Sequence, residues 1–317
     1  INILLQRGQV HGDQHIGSGD DGAANGGIGQ YDGAVCRTAA HFRAVGGQPG
    51  DLQVFHQALI SQELAGEQDA LSAETGNDDF FLHISQNIIA AKIQNYRNIL
   101  RRFIRDYGEN DFVEKVVHEL DVHKRQVFKS SCKQDLLGIE GISANQYFSA
   151  FPNLIVQQKE AFPFHGRNRR PPKDAVNAML SLAYTLIAND VTSALETVGL
   201  DPYVGFMHTL RPGRSSLSLD IMEELRAYMG DRFVLSLINR KQISTNDFMH
   251  QGEEGVILTD NGRKIFLSAW QTRKKEEIVH PYLGEKIPIG LLPYAQAMLL
   301  ARYIRNDIDD YPVFLIR

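Results

Sequence analysis

Ile84-Ser-Gln-Asn-Ile-Ile-Ala-Ala-Lys-Ile-Gln-Asn-Tyr-Arg-Asn-Ile-Leu-Arg-Arg-Phe-Ile-Arg105 sets Ile84, Ile88, Ile89, Ile93, Tyr96, Leu100, Phe103 and Ile104 at mostly three- and four-residue steps. An α-helix turns once every 3.6 residues, so this spacing gathers the apolar side chains into one stripe and predicts a long amphipathic helix. The other face carries Lys92, Arg97, Arg101, Arg102 and Arg105, and Gly108 followed by Asn110 marks the end. Further helices are predicted over about 112–128 and 136–151. A basic connector stiffened by proline, 165–173, leads to a helix capped by Asp174, running through Ala178, Leu180, Leu182, Leu186 and Leu195 to Gly199. Tyr203 to His208 reads as a short apolar strand, followed by a loop with Pro212 and Gly213 and a helix capped by Ser215 or Ser216. Gly252, Gly255 and Asp260-Asn-Gly262 suggest turns or a hairpin, and a last helix is expected over about 289–305. The reading is α+β: a mainly helical domain over 81–317, preceded by a smaller N-terminal region, 1–80.

At 317 residues, 43% hydrophobic and 22% charged, the composition is that of a soluble globular protein. No apolar stretch approaches the roughly 20 residues of a membrane-spanning helix, and Gln6, Arg7 and Gly8 cut short the apolar opening before it could serve as a signal peptide. Two cysteines, Cys36 and Cys132, make neither a disulfide framework nor a thiolate zinc site, so a cytoplasmic location is the default expectation. The opening at Ile1 rather than Met suggests a fragment. The net charge of −5 hides a division: residues 1–80 hold three basic against eleven acidic side chains, and the remainder is mildly basic. Residues 1–80 are also rich in Gly, Gln and Asp and show no sustained periodicity, a composition of loops.

Three places set acidic or imidazole groups in unusual surroundings. Glu140 stands between Gly138 and Gly141 near a helix start, where small neighbours admit a close approach of backbone or phosphate; a surface glutamate is the ordinary alternative. His208 ends the apolar run, where a packed imidazole is the commoner outcome. Asp220, Glu223 and Glu224 fall at i, i+3 and i+4 and share a helix face, although acids in a first turn also simply meet the helix dipole. Together, one imidazole and two or three carboxylates make a mixed nitrogen–oxygen donor set suited to Mg2+ or Mn2+. Spacing alone does not bring them together. Basic clusters occur at 101–105, 167–173, 211–214 and 273–275, a pattern compatible with tracking phosphates; Arg169, Arg170, Arg211 and Arg214 are the expected DNA contacts. Neither a Walker-type phosphate loop nor a Gly-x-Ser-x-Gly elbow is present in the helical region, so neither nucleotide hydrolysis nor serine hydrolase chemistry is indicated.

In order, Leu136-Leu-Gly-Ile-Glu-Gly-Ile-Ser-Ala-Asn-Gln-Tyr-Phe148, Arg169-Arg-Pro-Pro-Lys-Asp-Ala-Val-Asn177, Gly199-Leu-Asp-Pro-Tyr-Val-Gly-Phe-Met-His208, Arg211-Pro-Gly-Arg214 and Leu219-Asp-Ile-Met-Glu-Glu-Leu-Arg226 follow one another. Leu258-Thr-Asp-Asn-Gly-Arg263, His280-Pro281 and Asp309-Asp-Tyr-Pro-Val-Phe314 complete the series. Over residues 84–317 this resembles the CRISPR-associated spacer-acquisition integrase family, also described as an endonuclease, and its type I-C branch most of all. The resemblance implies that Glu140, His208 and Glu223 are catalytic and bind the metal, with Asp220 as an auxiliary acid and Asp190 structural. It implies a homodimer that joins a small ferredoxin-like CRISPR-associated partner protein. Double-stranded prespacer DNA is then inserted at a CRISPR repeat by transesterification without ATP, as part of antiviral defence. A stand-alone metal-dependent DNase on branched or single-stranded DNA is the rival with the same chemistry; a catalytically silent DNA-binding remnant is the rival without it. The family opens with a β-rich domain that residues 1–80 do not resemble; either a replaced domain or a shifted reading frame would account for this, and the second is expected.

Overall fold

A computed structural model of the chain describes residues 78–168, 171–252 and 255–316. Every described residue lies in the unit Gln57–Arg317. The readings made for residues 1–77, and for Arg169 and Arg170, fall outside the described residues.

The opening stripe forms α1 (Asp78–Tyr107), and Ile84, Ile88, Ile89, Ile93, Tyr96 and Leu100 are all buried. Burying side chains of this size stabilises the fold by about 1.5–3 kcal/mol each, which makes α1 the spine of the core. Gly108 ends it at a φ of +97°, and Asn110 starts α2 (Asp111–Val127), its side chain accepting a hydrogen bond from Val113 N at 3.0 Å. α2 packs against α1, and α3 (Lys133–Ala150) packs against both. α4 (Ala175–Val198) is bounded as its sequence suggests. Asp174 accepts from Asn177 N at 2.8 Å, and Gly199 closes the helix in the left-handed region at φ 87°. By length and composition α4 alone among the described helices could cross a membrane, against the sequence expectation. Its buried Val176, Met179, Leu180, Ile187 and Leu195 instead belong to the core, where α4 packs against α5 (Ser216–Leu225).

The chain continues from α5 through a π-helical turn, Arg226–Asp231, into α6 (Arg232–Asn239). Two small antiparallel pairs follow: β1 (Phe248–His250) with β2 (Val256–Leu258), and β3 (Glu277–Val279) with β4 (Lys286–Pro288). Between them lies α7 (Asp260–Lys275), and α8 (Leu292–Ile304) closes the helical set. The result is a mostly helical α+β unit. Two local readings are corrected. Asp260-Asn-Gly262 is the first turn of α7, because Thr259 caps it by accepting from Gly262 N at 3.1 Å. Residues 203–208 form turns rather than a strand, their apolar character coming from Phe206 and Met207 packing inward.

The chain then returns to the spine as an extended strap. Asn95, fully buried on α1, donates to the carbonyl oxygens of Glu224 and Phe314, both at 2.9 Å, and accepts from Ile316 N at 2.9 Å. Asn98 donates to Ile316 O at 2.6 Å. Glu224 accepts from Phe314 N at 2.6 Å, from Gln296 at 2.9 Å and from the Tyr311 hydroxyl. Burial pushes its carboxyl up to about 7, against the downward pull of those three hydrogen bonds. The strap therefore locks α1 to α5, the two helices that frame the site.

Candidate metal-binding and catalytic site

Glu140 lies in the middle of α3 rather than at its start, and beta-carbons placed on Gly138 and Gly141 would meet nothing within 4 Å. No other part of the protein approaches these glycines closely, and they leave the helix surface beside Glu140 open. From α5, Glu223 reaches the same place, nearly buried. Between the two carboxylates sits the amine of Lys92 from α1, only 1% exposed. Its Nζ pairs with Glu140 Oε1 and lies 2.6 Å from Glu223 Oε2. The other Glu223 oxygen, Oε1, accepts from Arg226 at 2.8 Å. Burial would raise the Glu223 carboxyl; the Arg226 guanidinium and then the Lys92 amine overcome it and hold the group down at about 2.

His208 is held by Asp220. Asp220 Oδ2 accepts from Phe206 N at 2.7 Å and Met207 N at 2.9 Å, while Oδ1 accepts from His208 N at 3.1 Å and faces His208 Nδ1 at 2.5 Å. A carboxylate can only accept, so Nδ1 carries the proton and the Nε2 lone pair is left for a ligand. Asp220, wholly buried, thus spends both oxygens on the loop and the ring. This seat depends on Gly205, where a beta-carbon would stand 2.8 Å from Asp220 Oδ2 and 2.9 Å from the Ser216 backbone carbon.

The structure thus brings Glu140 and Glu223 together across the Lys92 amine, while His208 is held separately by Asp220. Among the described residues no three His, Cys, Asp or Glu side chains form a closed metal-binding group. The donor set still fits a hard divalent cation. Glu223 Oε2 is buried and accepts no aligned hydrogen bond, its contact with Lys92 being an ion pair alone, and the donors are an imidazole nitrogen and carboxylate oxygens. Of the expected DNA contacts, Arg211 is exposed, whereas Arg214 braces its own loop by donating to Thr209 O at 2.6 Å. Asp190 pairs with Lys274 at 2.8 Å.

Sequence reasoning placed Lys92 on the solvated basic face and so missed it. The signal was present: Lys92 lies four residues from both Ile88 and Tyr96, on the buried stripe itself. Arg226, which secures Glu223, was likewise missed.

The profile of the family described as CRISPR associated protein Cas1 matches residues 64–272. A protein of Chlorobaculum tepidum named CRISPR-associated endonuclease Cas1 1 is 48% identical over 244 residues, 76% of this chain and 71% of the relative. The chain belongs to the Cas1 family. Solved structures agree at the level of fold. One described as a casposase bound to integration product aligns with a TM-score of 0.68 at 21% identity, covering 79% of this chain and 70% of that one. A partial Cas6-RT-Cas1–Cas2 complex aligns with a TM-score of 0.67 at 23% identity, covering 78% of this chain and 71% of that one. The Cas1 assignment accounts for the order of motifs from Leu136 to Arg226.

Proposed function

We propose that this Cas1 protein is a metal-dependent endonuclease and integrase that inserts double-stranded prespacer DNA into a CRISPR repeat by transesterification. The observation that carries the reading is the meeting of Glu140 and Glu223 across one buried amine, beside an imidazole whose Nδ1 is already engaged. Glu140, His208 through Nε2, and Glu223 would hold Mg2+ or Mn2+. Such an ion supplies Lewis-acid stabilisation of the charge that builds on a phosphate oxygen as a 3′-hydroxyl attacks.

The protein's own groups do the preparing. Asp220 fixes the imidazole tautomer and ring direction, so its part is positioning rather than ligation. Arg226 anchors Glu223 through one oxygen and leaves the other facing the site. Lys92 balances two carboxylates that would otherwise repel across a poorly hydrated space, and it has to give up Glu140 or Glu223 when a divalent cation enters. The integration product in the casposase structure and the Cas2 in the complex support a DNA substrate and a Cas2 partner; a homodimer and a small ferredoxin-like form for that partner complete the proposal.

The deciding experiment is strand transfer of a labelled prespacer into a repeat-bearing duplex, with the partner and Mn2+ present. Glu140→Ala is expected to abolish transfer while prespacer affinity stays near wild type; integration at the wild-type rate would reject the assignment. The name endonuclease carried by the Chlorobaculum relative favours a second reading, cleavage of branched or single-stranded DNA without a partner. Omitting the partner from the same assay separates the two.

A further inference from the structure

Two basic clusters have no part in the site just described, those at 101–105 and 273–275, and the fold brings them together around a separate cavity of about 450 Å3. It opens where the last turns of α1 meet α6 and α7. Arg102, Arg232, Arg240 and Arg273 line it, against only two carboxylates, Asp106 and Glu276. Both acids are already engaged. Asp106 pairs with Arg102 at 3.2 Å and with Arg105 at 3.0 Å, and Glu276 pairs with Arg273. Arg232 makes neither an ion pair nor a side-chain hydrogen bond among the described residues, although it is half-buried.

Arg232 and Arg273 crowd one aromatic ring, lying 4.9 Å and 5.3 Å from the centroid of Tyr228. Cations withdrawn from water are ordinarily paired, and around this half-buried pair positive charge is in excess. Burial first, and then Arg102, bring the Arg232 guanidinium down to about 10, the response of a cation among cations. Arg273 Nε is buried with no partner of its own. A ligand rich in acceptor oxygens would satisfy these groups, and phosphate matches the planar fork of a guanidinium. Beside them, Phe103 and Tyr107 stack at 5.3 Å and 28°, and Tyr107 is 62% exposed. An exposed ring next to phosphate-binding arginines is the arrangement on which nucleobases stack. An acidic peptide would satisfy the arginines but leave that ring face without a role.

We propose that this cavity binds a nucleotide unit, with its phosphate among Arg102, Arg232, Arg240 and Arg273 and its base on Tyr107. The cavity is distinct from the site of chemistry: Arg102 stands ten residues beyond Lys92 on α1, a rise of about 15 Å, and Glu140, His208 and Glu223 do not line it. The proposal stands independently of the integrase reading.

The test uses the full chain with divalent ions chelated and a fluorescent oligothymidylate as probe, read by anisotropy. Tyr107 and Arg240 are exposed, so their substitution leaves the core untouched. Tyr107→Ala is expected to weaken oligonucleotide binding about fivefold or more. In that variant inorganic phosphate still competes as it does in the wild type. Arg240→Ala combined with Arg102→Ala weakens the binding of oligonucleotide and phosphate alike. Thymidine monophosphate that competes as well as the oligonucleotide identifies a free nucleotide as the source; weak competition identifies a strand. The proposal is overturned if both variants bind oligonucleotide as tightly as wild type. It is also overturned if Arg125→Ala, an exposed arginine on α2 away from the cavity, causes the same loss.

Discussion

Lys92 shows how much one side chain decides. A buried amine sits between two carboxylates and helps hold the Glu223 carboxyl down, and removing it leaves the two acids facing each other with no cation between them. Lys92→Met is therefore expected to destabilise the metal-free protein by about 3 kcal/mol, and to gain more from Mn2+ than wild type does, because no amine has to be displaced. Thermal melting with and without Mn2+ checks this; an equal Mn2+ shift in both proteins would show that amine and cation do not share a place. At this scale the sequence was half legible. Glu140, His208 and Glu223 were grouped by resemblance, since their separation in the chain gives no reason to group them. Lys92 escaped because it was placed with the arginines on the polar face, although its register put it on the apolar stripe; Arg226 was quoted only as the end of a motif.

Elements were legible where capping chemistry is local. Asn110, Asp174 and Gly199 bound their helices as their types require, since a side chain or a free φ acts over three or four residues. The loop carrying His208 was not legible. Its apolar residues suggested a strand, yet its shape is imposed by Asp220, a dozen residues on, which gathers three backbone N–H groups. Gly205 is the residue on which that seat turns. Gly205→Ala is expected to push the loop off α5, lowering stability by about 1–3 kcal/mol and weakening Mn2+ binding at the same time. Melting and Mn2+ titration together test it: lost stability with unchanged Mn2+ affinity would separate the loop from the metal site.

Across the whole molecule, acidity is distributed with opposite signs. Asp231, wholly buried where the π-helical turn meets α4, accepts from the Tyr184 hydroxyl at 2.5 Å and has its other oxygen without a partner. Burial raises it from 3.8 to about 6, the Tyr184 bond and Arg226 pulling back only in part. Because the folded value lies above the unfolded one, its contribution to stability is complete below about pH 4 and is lost as pH rises through 6. Glu223 runs the other way: its contribution is present above 4.5 and is lost as pH falls towards 2. Asp231→Asn is expected to flatten the fall in melting temperature between pH 4 and 7 relative to wild type; identical pH profiles for the two proteins would remove Asp231 from the account.

The strap of residues 311–316 gives the molecule a timetable as well as a shape. Asn95 and Glu224 wait on backbone groups that leave the ribosome after Glu140, His208 and Glu223 have all been made. A nascent chain can therefore coil its helices early while the frame around its carboxylates stays unlocked. The frame around Glu140 and Glu223 therefore closes only once the strap itself has been made and has docked on α1 and α5.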